Sequence, residues 1–303
     1  MEIHRKLIPV GTKTSVALGY FDGMHRGHEE IMRQTVEFAK RMHLHATVFT
    51  FDFSAARPGE KGKQDLFSRD FIYSRMEKLG VDLIVEIPFN EIRNMSGRDF
   101  IYKVLGHGCL NAAVINCGED FRFGKGRNSD TVAMKRLAGP HGIQVNVVPF
   151  VLDDGIISTT RIKQLISVGD IPAAEQLLGY RYFIESPVIK KDTGVGMNFS
   201  SVSQLLDETY TLPKFGVYIS RSLLKNSNWQ DSVTYIGTRP SRNGEAVYAD
   251  TNIFSLNGAQ YREKFLHIEL LRMIRAEEKF ESLSDLKDAI SNDIKRAKMY
   301  TER

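Results

Sequence analysis

From Thr14 to about residue 150, short apolar and β-branched runs alternate with stretches of helical period, and this pattern restricts the chain to few architectures. TSVALGYF, HATVFTF, DLIVEIPF, AAVINCG and QVNVVPFV read as five strands. After the first of them a helix is predicted whose inward face carries Ile31, Thr35, Phe38, Ala39 and Met42 at 3.6 spacing. FSRDFIYSRMEKLG and GRDFIYKVLGHG read as further helices, each ending at a glycine able to take the left-handed C-terminal conformation. Strand and helix alternating at this pitch predict a parallel sheet covered on both faces, with ligands beyond the carboxyl ends of its strands. TTRIKQLISVGDIPAAEQLLGYRYF then reads as a helical pair broken at Gly169.

After Phe183 the texture changes. FIESPVI, GVYISRSL, SVTYIGT and FLHIELL are short strands separated by Gly, Pro, Asn and Asp turns, the pattern of a small antiparallel sheet or barrel. A closing helix, SLSDLKDAISNDIKRAKMY, sets Leu283, Leu286, Ile290, Ile294 and Ala297 on one face. The expected domains are 1–182, Rossmann-like α/β, and 183–303, an antiparallel β-barrel with a C-terminal helix. A chain of 303 residues has room for both cores.

Composition narrows the function classes. The net charge of +4, from 41 basic and 37 acidic residues, suits a protein that handles anions and is too weak to argue for nucleic acid. No apolar run approaches the ~20 residues that span a bilayer, and the N-terminus lacks a signal peptide's apolar core. Cys109 and Cys117 make neither a disulfide framework nor a zinc pattern, and Cys117 reads as buried packing. A cytoplasmic protein is expected; oligomeric state is not legible.

The stretch that carries chemistry is GYFDGMHRGHEEIM, 19–32, at the junction of the first strand and its helix. A helix N-terminus presents unpaired backbone N–H groups and about half a positive charge, which stabilise an anion such as phosphate. Gly27 lets an anion approach the backbone, and His25 and His28 can donate from ring nitrogens to phosphate oxygens or carry positive charge as negative charge develops. The same residues also read as a plain turn with two surface histidines, or as the start of a metal site, although no third ligand stands nearby.

G-x-F-D-G-x-H-x-G-H resembles the nucleotidyltransferase superfamily motif, in the form found in bacterial bifunctional riboflavin kinase/FMN adenylyltransferases (FAD synthetases). Three further segments look like the same family: CGEDFRFGKGRNSD at 117–130, similar to its flavin- and nucleotide-binding segment; ISTTRIK at 157–163, similar to its last phosphate motif; and LLGYRYFIESPVI, similar to its bridge into the kinase domain. The resemblance implies that Gly19, Phe21, His25, Gly27 and His28 hold the ATP phosphates, with Ser158, Thr159, Thr160 and Arg161 on the opposite side. On their own, Ser158 or Thr159 read equally as helix caps and Arg161 as a solvated charge. The resemblance places Asp120, Phe121 and Phe123 at the flavin, although two phenylalanines after a strand also read as core. Lys125 and Arg127 fit phosphate partners or surface charges alike. The implied reaction is adenylyl transfer from ATP to FMN, with Mg²⁺ accompanying ATP.

Two departures stand out. After the second strand the family's Pro-His-Pro turn is replaced by Asp52, Phe53 and Ser54, which puts the flavin side in question; Phe53 could supply a substitute ring. In the second domain the family's G-F-P-T-A-N kinase motif is matched by NFSSVS, so that Ser201 stands for Thr and Ser203 for Asn, and Asp250 in VYADTNIF stands where the family has its catalytic Glu. The expectation is an FAD synthetase with a retained barrel that has lost its kinase chemistry. The alternatives are an enzyme with both activities, a flavin- or nucleotide-binding regulator without turnover, or a relative acting on another phosphate-bearing acceptor. An aminoacyl-tRNA synthetase is disfavoured because no KMSKS-like segment follows.

Overall fold

A computed structural model describes residues 1–52, 64–189, 201–241, 244–256 and 261–301. By its internal contacts the chain divides into Met1–Thr159 and Thr160–Arg303.

The first unit is built on six parallel strands: β1 (Glu2–His4), β2 (Thr14–Leu18), β3 (His45–Asp52), β4 (Leu83–Pro88), β5 (Ala112–Gly118) and β6 (Gln144–Val148), in the spatial order β1-β4-β3-β2-β5-β6. Five correspond to the expected strands. The sixth, β1, is a three-residue edge strand whose sequence, EIH, carries no recognisable strand signal. All five residues of β2 are buried, because helices cover both faces of the sheet. From β2 the chain steps through β3 to β4 on one side, and β5 and β6 extend the sheet on the other. The order therefore reverses between β2 and β5, and the crevice at their carboxyl ends is where such sheets bind ligands.

Helix α1 (Arg26–Met42) follows β2 and buries Ile31, Met32, Thr35, Val36 and Ala39. This corrects two positions of the expected stripe. Met42 is 42% exposed at the helix end, and Phe38 is only half-buried, with the Arg41 guanidinium 4.5 Å from its ring centroid. Helix α2 (Arg69–Lys78) precedes β4 and is capped by the Ser68 hydroxyl, which accepts the Phe71 N–H at 3.3 Å. The apolar core joins Val16, Leu18, Phe49, Val85 and Ile115 from the strands to Phe100, Ile101 and Val104 from the stretch after Gly97.

The second unit holds a closed barrel of β7 (Phe183–Ile189), β8 (Val202–Leu205), β9 (Gly216–Leu224), β10 (Asn228–Ser241), β11 (Gly244–Ile253) and β12 (Phe265–Ala276), in the order β10-β11-β8-β7-β12-β9. Every pairing is antiparallel. The helices Thr159–Val168 and Ile171–Leu178 meet at Gly169, whose φ of +85° ends the first of them. The closing helix, Leu283–Thr301, packs on the barrel through Ala297, with Ile294 alongside, whereas Leu283 is 63% exposed and drops out of the expected face. Among the described residues no helix is long and apolar enough to cross a membrane.

Candidate active site

The turn from Gly19 to His25 lies at the carboxyl end of β2, beside the point where strand order reverses. Its backbone is under constraint. Phe21 and Met24, both fully buried, have φ of +57° and +37°, and Gly23 between them has +79°. Two bulky residues held in the left-handed region cost energy that the surrounding contacts must offset. Those contacts are visible. Asp22 is 5% exposed; its carboxylate accepts the Leu66 N–H at 2.8 Å, and its carbonyl accepts the Thr159 hydroxyl at 3.2 Å. The hydroxyl at the start of the helix Thr159–Val168 is thereby fastened to the histidine-bearing turn.

Gly19 has a different reason to be glycine than ligand approach. A Cβ there would lie 2.8 Å from Phe21 Cζ, because the Phe21 ring folds back beneath the strand end. Gly19→Ala is expected to lower stability by about 1–3 kcal/mol, as overpacking of a closed core does. A shift of the urea midpoint checks this. A Cβ on Gly27 would come within 3.2 Å of the His25 ring, so Gly27 makes room for that imidazole.

His25 caps α1. Its Nδ1 accepts the His28 backbone N–H at 3.4 Å. An accepting Nδ1 leaves the proton on Nε2, so His25 presents Nε2–H as a donor. The His28 ring stacks on that of His25 with centroids 3.7 Å apart and planes 19° from parallel, and the edge of Phe21 supports it at 5.4 Å. Burial lowers the His25 pKa to about 4 and pushes His28 well below the usual imidazole value, with the neighbouring His25 adding to the effect. At neutral pH both rings are therefore uncharged. His28 is half-buried as a residue, yet its Nδ1 is closed off from solvent without a hydrogen-bond partner among the described residues. The stacked pair at the mouth of α1 is a set of neutral donors at a positive helix end, suited to the oxygens of a polyphosphate.

The other expected residues fall in several places. Ser158 and Thr159 are half-buried at the start of their helix; Thr160 and Arg161 follow in it, inside the second unit. Asp120 is exposed after β5. Phe121 is half-buried and stacks at 6.2 Å on Phe123, which is 6% exposed and packs on Phe100 at 5.7 Å. Phe123 is thus a core residue, and Phe121 is the ring nearer the surface. Phe123 and Ser129 exchange backbone hydrogen bonds at 3.0 and 3.1 Å and close the loop that carries Lys125 and Arg127, both exposed. Phe53 and Ser54 lie outside the described residues, as do Asn198, Phe199 and Ser200. Sequence reasoning missed Asp22, although it lies within the F-D-G motif; nothing local shows that Leu66 and Thr159 will meet it.

In the barrel, Ser203 is 2% exposed and donates its hydroxyl to Asp250 across the β8–β11 pair. Arg239 approaches the same carboxylate at 3.2 Å. The two positions where kinase residues were expected to be altered are thus bonded to each other and to a guanidinium. Ser201 is half-buried just ahead of β8.

A family model described as FAD synthetase matches residues 8–161. The chain belongs to the FAD synthetase family. FMN adenylyltransferase activity goes with that membership. A second family model, riboflavin kinase, matches residues 178–301. The bifunctional riboflavin kinase/FMN adenylyltransferase of Bacillus subtilis is 29% identical over 301 residues, covering 95% of this chain and 92% of that protein. Its counterpart of the same description in Escherichia coli K12 is 26% identical over 291 residues, covering 92% and 90%. A crystal structure described as a macrolide-efflux protein from Streptococcus pneumoniae superposes with a TM-score of 0.84 at 24% identity over 98% of both chains. At that identity the likeness concerns the fold alone.

Proposed function

We propose that this FAD synthetase family member joins ATP and FMN to give FAD and pyrophosphate on the turn at 19–28, and that its barrel has lost riboflavin phosphorylation. The adenylyl transfer is assigned to residues 1–182 and the kinase-like barrel to 183–303. The observation that carries the first part is the stacked, uncharged His25–His28 pair at the start of α1. In the reaction an FMN phosphate oxygen bonds to the α-phosphorus of ATP, and the bond from that phosphorus to the bridging oxygen breaks, releasing pyrophosphate. A phosphate dianion is already a nucleophile, so the site needs no general base. It must orient two anions and take up negative charge as it shifts to the leaving group.

His25 Nε2–H and the His28 ring are suited to donate to the phosphate oxygens, and the α1 amides add their partial charge. Ser158, Thr159, Thr160 and Arg161 are assigned to the phosphates from the other side, with Arg161 as a planar, permanently charged fork. Asp120, Phe121 and Phe123 are assigned to the flavin side, Phe121 as the contacting ring and Phe123 as its support. Among the described residues no cluster of three His, Cys, Asp or Glu side chains could hold a metal. Mg²⁺ is assigned to the substrate Mg-ATP, held by phosphate oxygens and water. The two buried, unpaired cysteines support a reducing, cytoplasmic setting.

Loss of kinase chemistry rests on Asp250. Its side chain is one methylene shorter than that of the family's Glu, and Ser203 and Arg239 hold its carboxylate against its own barrel, which sets it back from the place a base would take. The second reading keeps both activities and is favoured by the riboflavin kinase match over 178–301. Incubating the full chain with Mg-ATP and either FMN or riboflavin separates the two. The expected result is FAD from FMN and no FMN from riboflavin; riboflavin phosphorylation at a rate comparable to FAD formation refutes the loss. FMN binding without pyrophosphate release refutes the transferase assignment.

A further inference from the structure

β4 reads LIVEIP, and its one acidic residue, Glu86, is 2% exposed within an otherwise apolar strand. A carboxylate so placed must be paired. Two guanidinium groups pair it. Arg69 Nε donates to Glu86 Oε1 at 2.8 Å and its Nη2 donates to the same oxygen, while Arg5 Nη1 donates to Oε2.

Both guanidinium groups lie over the Tyr73 ring, 5.6 and 5.5 Å from its centroid, but the two arginines differ in what else they hold. Arg5 has a side chain 60% exposed and reaches Tyr73, through its hydroxyl at 3.2 Å and its ring at 5.6 Å. Arg69 has a side chain 26% exposed and reaches the turn that carries the histidines. Its Nη1 donates to the Tyr20 carbonyl at 3.3 Å, its Nη2 donates to Thr50 Oγ1 at 3.2 Å, and its guanidinium lies 5.1 Å from the Tyr20 ring centroid. The Thr50 hydroxyl donates to the same Tyr20 carbonyl at 3.3 Å, and the Tyr20 hydroxyl donates to Asp65 at 2.9 Å. Tyr20 is thus held at carbonyl, ring and hydroxyl, immediately before the left-handed Phe21.

We infer that Arg69, clamped by Glu86, is a positioning residue for adenylyl transfer. It fixes Tyr20, and through Tyr20 the constrained backbone that delivers His25 and His28. The rigid sheet sets Glu86, Glu86 orients the guanidinium plane, and that plane registers the turn against β3 and β4. A planar fork can serve the carboxylate and the carbonyl together, which a lysine ammonium cannot do with the same geometry. The inference rests on the adenylyl transfer proposed above.

Arg5 supplies the control, because Arg5→Met also deprives Glu86 of a cation but leaves the Tyr20 contacts in place. The full chain is compared as wild type, Arg5→Met, Arg69→Met and Arg69→Lys, by thermal melting, by kcat and KM for Mg-ATP and FMN, and by the imidazole proton shifts of His25 and His28. Arg69→Met is expected to lose about 10-fold or more in kcat with each KM within about 3-fold, as loss of alignment rather than of binding does. Arg5→Met is expected to melt at a similarly lowered temperature with kcat within about 2-fold of wild type. Arg69→Lys is expected to recover melting temperature but not kcat. Equal kcat losses in Arg5→Met and Arg69→Met, or wild-type kcat in Arg69→Met or Arg69→Lys, overturn the inference. If Arg69→Met does not fold, Arg69→Lys decides alone. If the wild type forms no FAD, the proposed function fails separately, and the imidazole shifts decide: moved in the Arg69 variants and unmoved in Arg5→Met supports the positioning role, unmoved in both overturns it.

Discussion

His28→Ala is expected to lower FAD formation by about 100-fold or more, the usual scale for removing one preorganised donor that acts on transition-state charge. The loss should fall mainly on kcat. Pyrophosphate gains negative charge as it departs, so a donor near it bonds more strongly in the transition state than to bound ATP. Stability should respond much less. The His28 Nδ1 is already closed off without a partner among the described residues, and removing a buried unsatisfied polar atom offsets part of the packing lost against His25 and Phe21. Single-turnover release of pyrophosphate from Mg-ATP and FMN measures the rate, and thermal melting measures the fold. His28→Gln keeps a side-chain N–H and should recover part of the rate. Turnover near wild type in the alanine variant removes His28 from the chemistry.

The turn could be picked out in the sequence because its signals are local. Glycines, a strand before and a helix after are all written within residues 14–42. The α/β alternation and the change of texture at Phe183 were legible for the same reason, and both the parallel sheet and the barrel follow them. What was not legible depends on distant partners. Glu86 looks like an interruption of LIVEIP until Arg5 and Arg69, from elsewhere in the chain, neutralise it. Asp22 acquires its part only when Leu66 and Thr159 arrive. The predicted inward stripe of α1 runs too far toward the C-terminus because periodicity says which side faces in and not how far along the helix the contact extends; Met42, the last helical residue, is 42% exposed, while Met32 and Val36 are buried. β1 has three residues and pairs along one side only, with β4, so composition could not reveal it. The sequence also suggested that the histidines could carry charge, and burial decides the matter for the resting protein.

Burial of the two imidazoles makes the stability of the fold depend on pH. An imidazole in the unfolded chain titrates near 6.5, whereas burial places folded His25 at about 4 and folded His28 well below its usual value. Between these limits the unfolded chain takes up protons that the folded chain refuses, so stability rises with pH across the interval. The histidines' contribution is complete above about pH 6.5 and is lost as pH falls toward 4. For His25 alone the interval corresponds to about 3 kcal/mol. Carboxylates shifted down, such as Asp99, Asp130 and Glu185, act mainly below this window, and Glu175, pushed up by burial, works in the opposite direction within it. Hydrogen exchange of the buried β2 amides at pH 7 and pH 4.5 reports the effect in the first unit. Wild type should lose protection on acidification. His25→Asn keeps an N-cap acceptor and cannot titrate, so it should lose much less. Parallel losses in the two proteins would mean that His25 is not held neutral. The catalytic profile then separates resting charge from mechanism: neutral donors predict an acid limb near pH 6 that belongs to the second ionisation of the FMN phosphate and is unchanged in His25→Asn, because a monoanionic phosphate is the poorer nucleophile. Resting imidazolium donors with these depressed pKa values would leave almost no active enzyme at pH 7, so activity sustained up to pH 8 is the outcome that the buried, stacked pair requires.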